Sequence, residues 1–306
     1  MALFSQLNWD LSENWDIAAG LRYEDFAARG GYYSTGSVAN NDFTVISTPE
    51  LDNDRVSPKL SVAYQPNDLW LMRYSFAKAY RFPIVEELYR QYRDFNNINE
   101  SNPELKPEDG THHNLMFERT LEDGYLRFNL FYETINNAIV SQSTTLLSGQ
   151  SVNSFVPVDE TQTQGIEFIF NHYSVLPNVD IRFNVSYTDA EIVANSANTA
   201  LEGNTFPRMP KWRGNLLSTY HISPIWNVGL SIRYASDSFG RLQNDDRTDN
   251  VDGAQDAFTF VGVKTNYKLS GKWTLSAGVD NLNDELAYVA HPWPGRTLYF
   301  TLNYDM

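Results

Sequence analysis

The side chains able to do chemistry in this chain are few, and their spacing favours recognition over catalysis. There are five histidines and no cysteine, so disulfides and thiolate metal sites are excluded. His112 and His113 are adjacent in a segment that reads as a strand. Their side chains therefore point to opposite faces and cannot chelate one ion together. His221 and His291 have no Ser or Asp companion in sequence that would make a nucleophile–base pair. Asp245, Asp246, Asp249 and Asp252 cluster, but without the fixed glycine and closing glutamate of a calcium loop, and read as a solvated loop. No catalytic residue, metal ligand or cofactor is assigned. The candidates for binding a ligand are Arg81, Glu86, Tyr89, Tyr92, Arg93 and His113. Most lie in or beside a segment, Pro83 to Tyr92, that reads as a short loop helix. Pro occupies its first position, and Val85, Leu88, Tyr89 and Tyr92 share one side. The same helix would serve equally well to pack a loop over a rim.

The elements that must hold these residues announce themselves by a period of two. From Leu298 onward, Leu298, Phe300, Leu302, Tyr304 and Met306 face one way and Tyr299, Thr301, Asn303 and Asp305 the other. The segments from Val179 to Asp189 and from Trp226 to Ala235 repeat the pattern, with Asp180, Arg182 and Arg233 on the polar face. Charges on that face suit a wet interior better than a dry sandwich core. Connection lengths also alternate. Short, turn-rich links fall at 10–14, 65–68, 121–124, 176–178, 222–224 and 269–272. Long polar links fall near 28–54, 81–108, 139–157, 194–209 and 239–256, with a shorter one near 284–294. Short turns at one side and long loops at the other is the arrangement of a transmembrane barrel.

Thirteen strands are predicted: 2–10, 14–27, 55–66, 68–80, 109–119, 125–138, 158–173, 178–193, 210–222, 225–238, 256–268, 273–283 and 294–306. The fold class is all-β, an antiparallel up-and-down transmembrane barrel. An odd number leaves the first and last strands running the same way, unable to close as an antiparallel pair. The expectation is therefore the C-terminal portion of a larger barrel, with residues 1–306 forming one unit without a plug domain. No basic-then-apolar export signal is visible at Met1–Gln6. Expressed alone, the chain is expected to aggregate or insert poorly, because two strand edges stay unpaired.

Composition agrees. Tyr 18, Phe 18 and Trp 7 supply aromatic girdles. Trp9, Trp70, Trp212, Trp226 and Trp273 are expected at the short-turn side. A net charge of −15 argues against nucleic acid as a partner. Mean hydropathy is −0.43, and no run of about 18 apolar residues exists to form a membrane helix, a test that barrels escape.

Two boxes go further. Ser75-Phe76-Ala77-Lys78-Ala79-Tyr80-Arg81-Phe82-Pro83 precedes Asn102-Pro103-Glu104-Leu105-Lys106-Pro107-Glu108. Thr163 to Phe168 (Thr-Gln-Gly-Ile-Glu-Phe), Val279 to Asp284 (Val-Asp-Asn-Leu-Asn-Asp) and Pro294-Gly295-Arg296 follow in order. With these, the chain resembles the TonB-dependent outer-membrane receptors. Tyr80, Arg81, Pro83, Asn102, Pro103, Leu105, Lys106, Pro107 and Glu108 are the motif positions. The resemblance implies a 22-strand barrel around a globular plug, in the outer membrane of a Gram-negative bacterium. It implies active uptake of a scarce nutrient: a ferric siderophore, metal chelate or cobalamin-like ligand. The implied partners are a TonB-type energy-coupling protein (through an N-terminal region), membrane lipid and lipopolysaccharide, the barrel-assembly machinery through Leu298–Met306, and the small-molecule ligand. Haem receptors of the family carry a histidine between the boxes, and 84–101 has none. Met306 stands where the assembly signal usually ends in Phe or Trp. Competing functions are a passive channel or adhesin barrel, and a rim-site barrel enzyme whose residue pattern is unmet.

Overall fold

The structure, a computed structural model, describes residues 1–37, 42–93, 97–145 and 151–305. Thirteen strands run in sequence through one antiparallel sheet. They are β1 (Ala2–Ser12), β2 (Trp15–Ala28), β3 (Leu51–Asn67), β4 (Trp70–Arg81), β5 (Glu108–Leu121), β6 (Gly124–Thr145), β7 (Ser151–Leu176), β8 (Val179–Ala194), β9 (Trp212–Ser223), β10 (Trp226–Ala235), β11 (Phe258–Lys268), β12 (Trp273–Asp280) and β13 (Thr297–Tyr304). The order is the predicted one. Among the described residues the sheet does not close, and β1 and β13 are its edges.

Register shows how the alternation becomes two faces. One row of directly paired residues reads Trp9, Ile17, Val62, Tyr74, Leu115, Leu130, Ile166, Tyr187, Trp212. A row on the opposite face reads Asp16, Ala63, Arg73, Met116, Asn129, Glu167, Ser186, Arg213, Ala235. The first is apolar throughout and suits hydrocarbon. The second is mostly polar and suits a lumen. The apolar row starts beside a short turn at Trp9 and ends where a long loop enters β9 at Trp212, because tilted strands make a perpendicular row climb the wall. Trp212 thus belongs to the long-loop side, correcting the expectation that it lies near a short turn. Its ring packs on Tyr187, with centroids 4.9 Å apart. The short-turn girdle contains Trp226 against Tyr267 and Trp273 against Tyr304. Along β10 the steps from Trp226 to Tyr234 cover about 27 Å of strand, or about 20 Å along the membrane normal at a tilt near 40°.

The apolar wall is not where side chains are buried. Leu3, Leu7, Leu298 and Phe300 are all exposed, as side chains that face lipid must be, since no other part of the protein covers them. Burial is concentrated above the sheet. The segment 139–157 is not an irregular loop, as the sequence suggested: β6 and β7 continue as one hairpin up to Thr145 opposite Ser151. Their outer neighbours stop earlier, at Asn136 opposite Asp109 and at Glu160 opposite Ala194. This tall hairpin has loops on both sides. On one, Ile139 packs with Leu88 and Leu105; on the other, Ala138 and Val158 pack with Ile192, Leu201 and Leu242. Two further links carry short hairpins, Tyr32–Ser37 with Asp42–Ser47 and Tyr288–Val289 with His291–Pro292.

Candidate ligand-binding vestibule

The two motif boxes meet at the long-loop rim. Arg81 ends β4 and lies opposite Glu108 at the start of β5. Its guanidinium donates to Glu108 Oε1 at 2.7 Å and to both oxygens of Glu87 at 2.9 and 3.1 Å. Glu108 Oε1 also accepts the Ile139 backbone N–H at 2.7 Å, just beyond the point where the β5–β6 ladder ends. Glu87 Oε2 accepts the Ile84 N–H at 2.9 Å, tying down the start of the helix Val85–Tyr89. Such charge-assisted bonds are the strong ones, and bidentate geometry adds direction. The guanidinium is held above its ordinary range, first by the Glu108 hydrogen bond, then by Glu87 against the opposing effect of burial.

The second box completes the clamp. Asn102 donates through Nδ2 to the Phe155 carbonyl at 3.0 Å, and its Oδ1 accepts the Glu104 N–H at 3.1 Å. Its backbone N–H reaches the Glu87 carbonyl at 3.0 Å. Leu105 is 1% exposed and packs on Leu88, which is fully buried. Pro83 and Pro107 are buried, Pro103 is half-buried and Lys106 is exposed. Tyr80 carries Lys78 Nζ 5.4 Å from its ring centroid. The motif residues thus fasten the loop, at 81–108, to the tall hairpin.

Other candidates fall in different places. The helix is shorter than expected, because Arg90 is extended and Tyr92–Arg93 pairs as a strand with Ile98–Asn99. The side chains of Tyr92 and Arg93 lie outside the described residues. Val85, expected on the packed side, is 71% exposed. Tyr89 packs against the Leu88 cluster, with its hydroxyl 3.4 Å from the Pro49 carbonyl. Glu86 pairs with Arg90 and helps line a polar cavity of about 120 Å³ with Ser141 and Ser154. His113 is not brought together with any of these. It points to the apolar face, bonded to the Tyr74 hydroxyl at 2.8 Å and set among Phe76 and Tyr132. His112 points the other way, 2.6 Å from Glu133. In the acidic loop, Asp246 accepts the Gly240 N–H and Asp256 accepts those of Asn250 and Tyr288. These carboxylates act as loop ties.

With this geometry in place, relatives can be compared. The family model for "TonB dependent receptor-like, beta-barrel" matches residues 1–282. The chain belongs to that family. TonB-dependent receptors are proteins of the Gram-negative outer membrane, and the apolar row from Trp9 to Trp212 faces that membrane here. The probable TonB-dependent siderophore receptor PiuA of Acinetobacter baumannii is 21% identical over 300 residues, covering 93% of this chain and 37% of PiuA. The crystal structure of PiuA superposes with a TM-score of 0.75 at 17% identity, over 99% of this chain and 42% of that one. The copper transporter OprC gives 0.78 at 17% identity, over 99% and 48%. The ferric yersiniabactin uptake receptor FyuA of Yersinia pestis gives 0.74 at 16%, over 100% and 45%. The chain spans under half the length of these receptors.

Sequence reasoning passed over a group on the inner wall below the last long loops: Arg213, Arg233, Phe258, Phe260 and Trp293. The only signal was Phe258 and Phe260 at a two-residue spacing, which puts both rings on one face of a strand.

Proposed function

We propose that this chain is the C-terminal barrel wall and loop vestibule of an outer-membrane receptor that imports a scarce metal chelate, such as a ferric siderophore, using energy from a TonB-type partner. One observation supports the reading above the others: the long connections gather at one rim and are fastened there. The Arg81–Glu87–Glu108 clamp and the two cores flanking the tall hairpin hold them as a shaped vestibule over a polar lumen. A plug and an energy-coupling segment would lie in a part of the receptor outside this chain. The protein's work is binding and passage; no covalent step is assigned. Leu298–Met306 would engage the assembly machinery, and the apolar face would meet lipid and lipopolysaccharide. Conductance of the complete receptor in planar bilayers tests the gating. A plugged importer gives no steady ligand-free current, whereas an open-channel current would support a passive pore and defeat the proposal.

A further inference from the structure

Phe258 and Phe260 of β11 stack at 4.5 Å between centroids and 17° between planes. Trp293, from the loop before β13, lies nearly parallel to both, at 6.2 and 5.6 Å. The three rings form a slab that is buried at Phe260 (2% exposed) and open at Trp293 (36% exposed). Arg233 of β10 sits against it, 5.5 Å from the Trp293 centroid and 5.8 Å from that of Phe260. Arg213 of β9 pairs with Ala235 while Asn215 pairs with Arg233. The two arginines are therefore diagonal neighbours on the inner face, roughly 7 Å apart at their backbones. Both are exposed, and among the described residues neither has an ion-pair or hydrogen-bond partner.

Anchoring the last loop to the wall requires the rings. It does not require a second guanidinium, Arg213, beside the one that stacks on them, and two neighbouring cations repel until an anion sits between them. We infer that this slab and arginine pair form a recognition surface for a flat aromatic ring bearing anionic oxygens, as in a catecholate-type metal chelate. The ring would stack on the open side of the slab while its oxygens accept from Arg233 and Arg213, the geometry a planar guanidinium offers and an ammonium does not. A neutral, aliphatic chelate has neither feature. This rests on the uptake reading above and narrows its ligand class.

The test uses the complete receptor carrying this chain, in the outer membrane of cells lacking other iron receptors. Binding is measured on ice, where transport stops, with ferric tris(2,3-dihydroxybenzoate) and with the ferric complex of a neutral trihydroxamate. The wild type is expected to prefer the catecholate complex. Arg233→Gln and Trp293→Ala are each expected to weaken its binding roughly tenfold, while Arg233→Lys recovers part of the loss. Any trihydroxamate binding, and the amount of heat-modifiable receptor, are expected to stay unchanged. A wild type with no catecholate preference overturns the inference. So do variants that bind catecholate normally, or that lose both chelates and the folded barrel together. Because binding on ice needs no energy, loss of energised uptake alone counts against the uptake reading and leaves the surface standing.

Discussion

Ala138 and Ile139 are consecutive in β6, yet they lie in separate cores on opposite sides of the tall hairpin. Ala138 joins Val158, Ile192, Leu201 and Leu242, and Ile139 joins Leu88 and Leu105. The pleat that separates lipid from lumen lower in the wall here separates one loop system from another. Truncating Ile139 to Ala should therefore loosen the 81–108 loop by about 2–4 kcal/mol and leave the 194–211 loop undisturbed. Limited proteolysis of the receptor in outer-membrane vesicles reads this out. Equal acceleration of cleavage in both loops would show the two cores to be one unit.

Arg81 was a candidate ligand contact, and the geometry makes it a fastener. Arg81→Ala leaves Glu87, which is largely buried, without its cation. The side chain of Arg81 is 41% exposed, so screening lowers the cost to about 1.5 kcal/mol. Arg81→Lys, with one point charge for two carboxylates, should lose about half of that. Hydrogen exchange at the Ile139 amide should speed up accordingly. Unchanged exchange with weakened ligand binding would return Arg81 to the role of ligand contact.

Asp159 stands in the part of β7 above the rim and is held below its ordinary carboxylate range by Ser196, through the side chain and then the backbone N–H at 2.5 Å. A depressed folded value means that its contribution is present above the ordinary value and lost as pH falls through the folded one. Protection of the Ser196 amide should therefore drop below about pH 4. In Asp159→Asn it should be weaker throughout and flat with pH. Acid loss that persists in Asp159→Asn would assign the effect to another group.

Gly165 and Gly214 answer differently to the same added methyl. At Gly165 a Cβ would sit 2.2 Å from the Tyr187 carbonyl oxygen and 2.5 Å from the Phe131 ring. At Gly214 the nearest atom is 3.7 Å away. Gly165→Ala should cost about 1–3 kcal/mol and reduce the heat-modifiable folded form. Gly214→Ala should not. Parity between the two would mean that the wall yields freely at Gly165.

What the sequence made legible follows the same physics. All thirteen wall strands and both faces could be read because lipid and lumen sort side chains at every second residue. Above the rim that sorting ends. Ile139 and Val158 are apolar on opposite faces of one hairpin because loop cores cover both, so the alternation fades and the strands read as a loop. Trp212 was misplaced although its position, just after the long link 194–209 and far from the short turn at 222–224, already assigns it to the long-loop side. The motif boxes were legible as a pair, but their joint role appears only when Glu87 and Glu108 converge on Arg81. The inner-wall group needed three separate strands and a loop to assemble.

The most direct test of the account is uptake of a radiolabelled ferric chelate by cells whose only iron receptor is the complete protein, with and without the TonB-type coupling protein. Accumulation that requires the coupling protein, with surface binding on ice retained in its absence, is the expected result. Accumulation at the same rate without it would contradict energy-coupled import and leave a passive barrel.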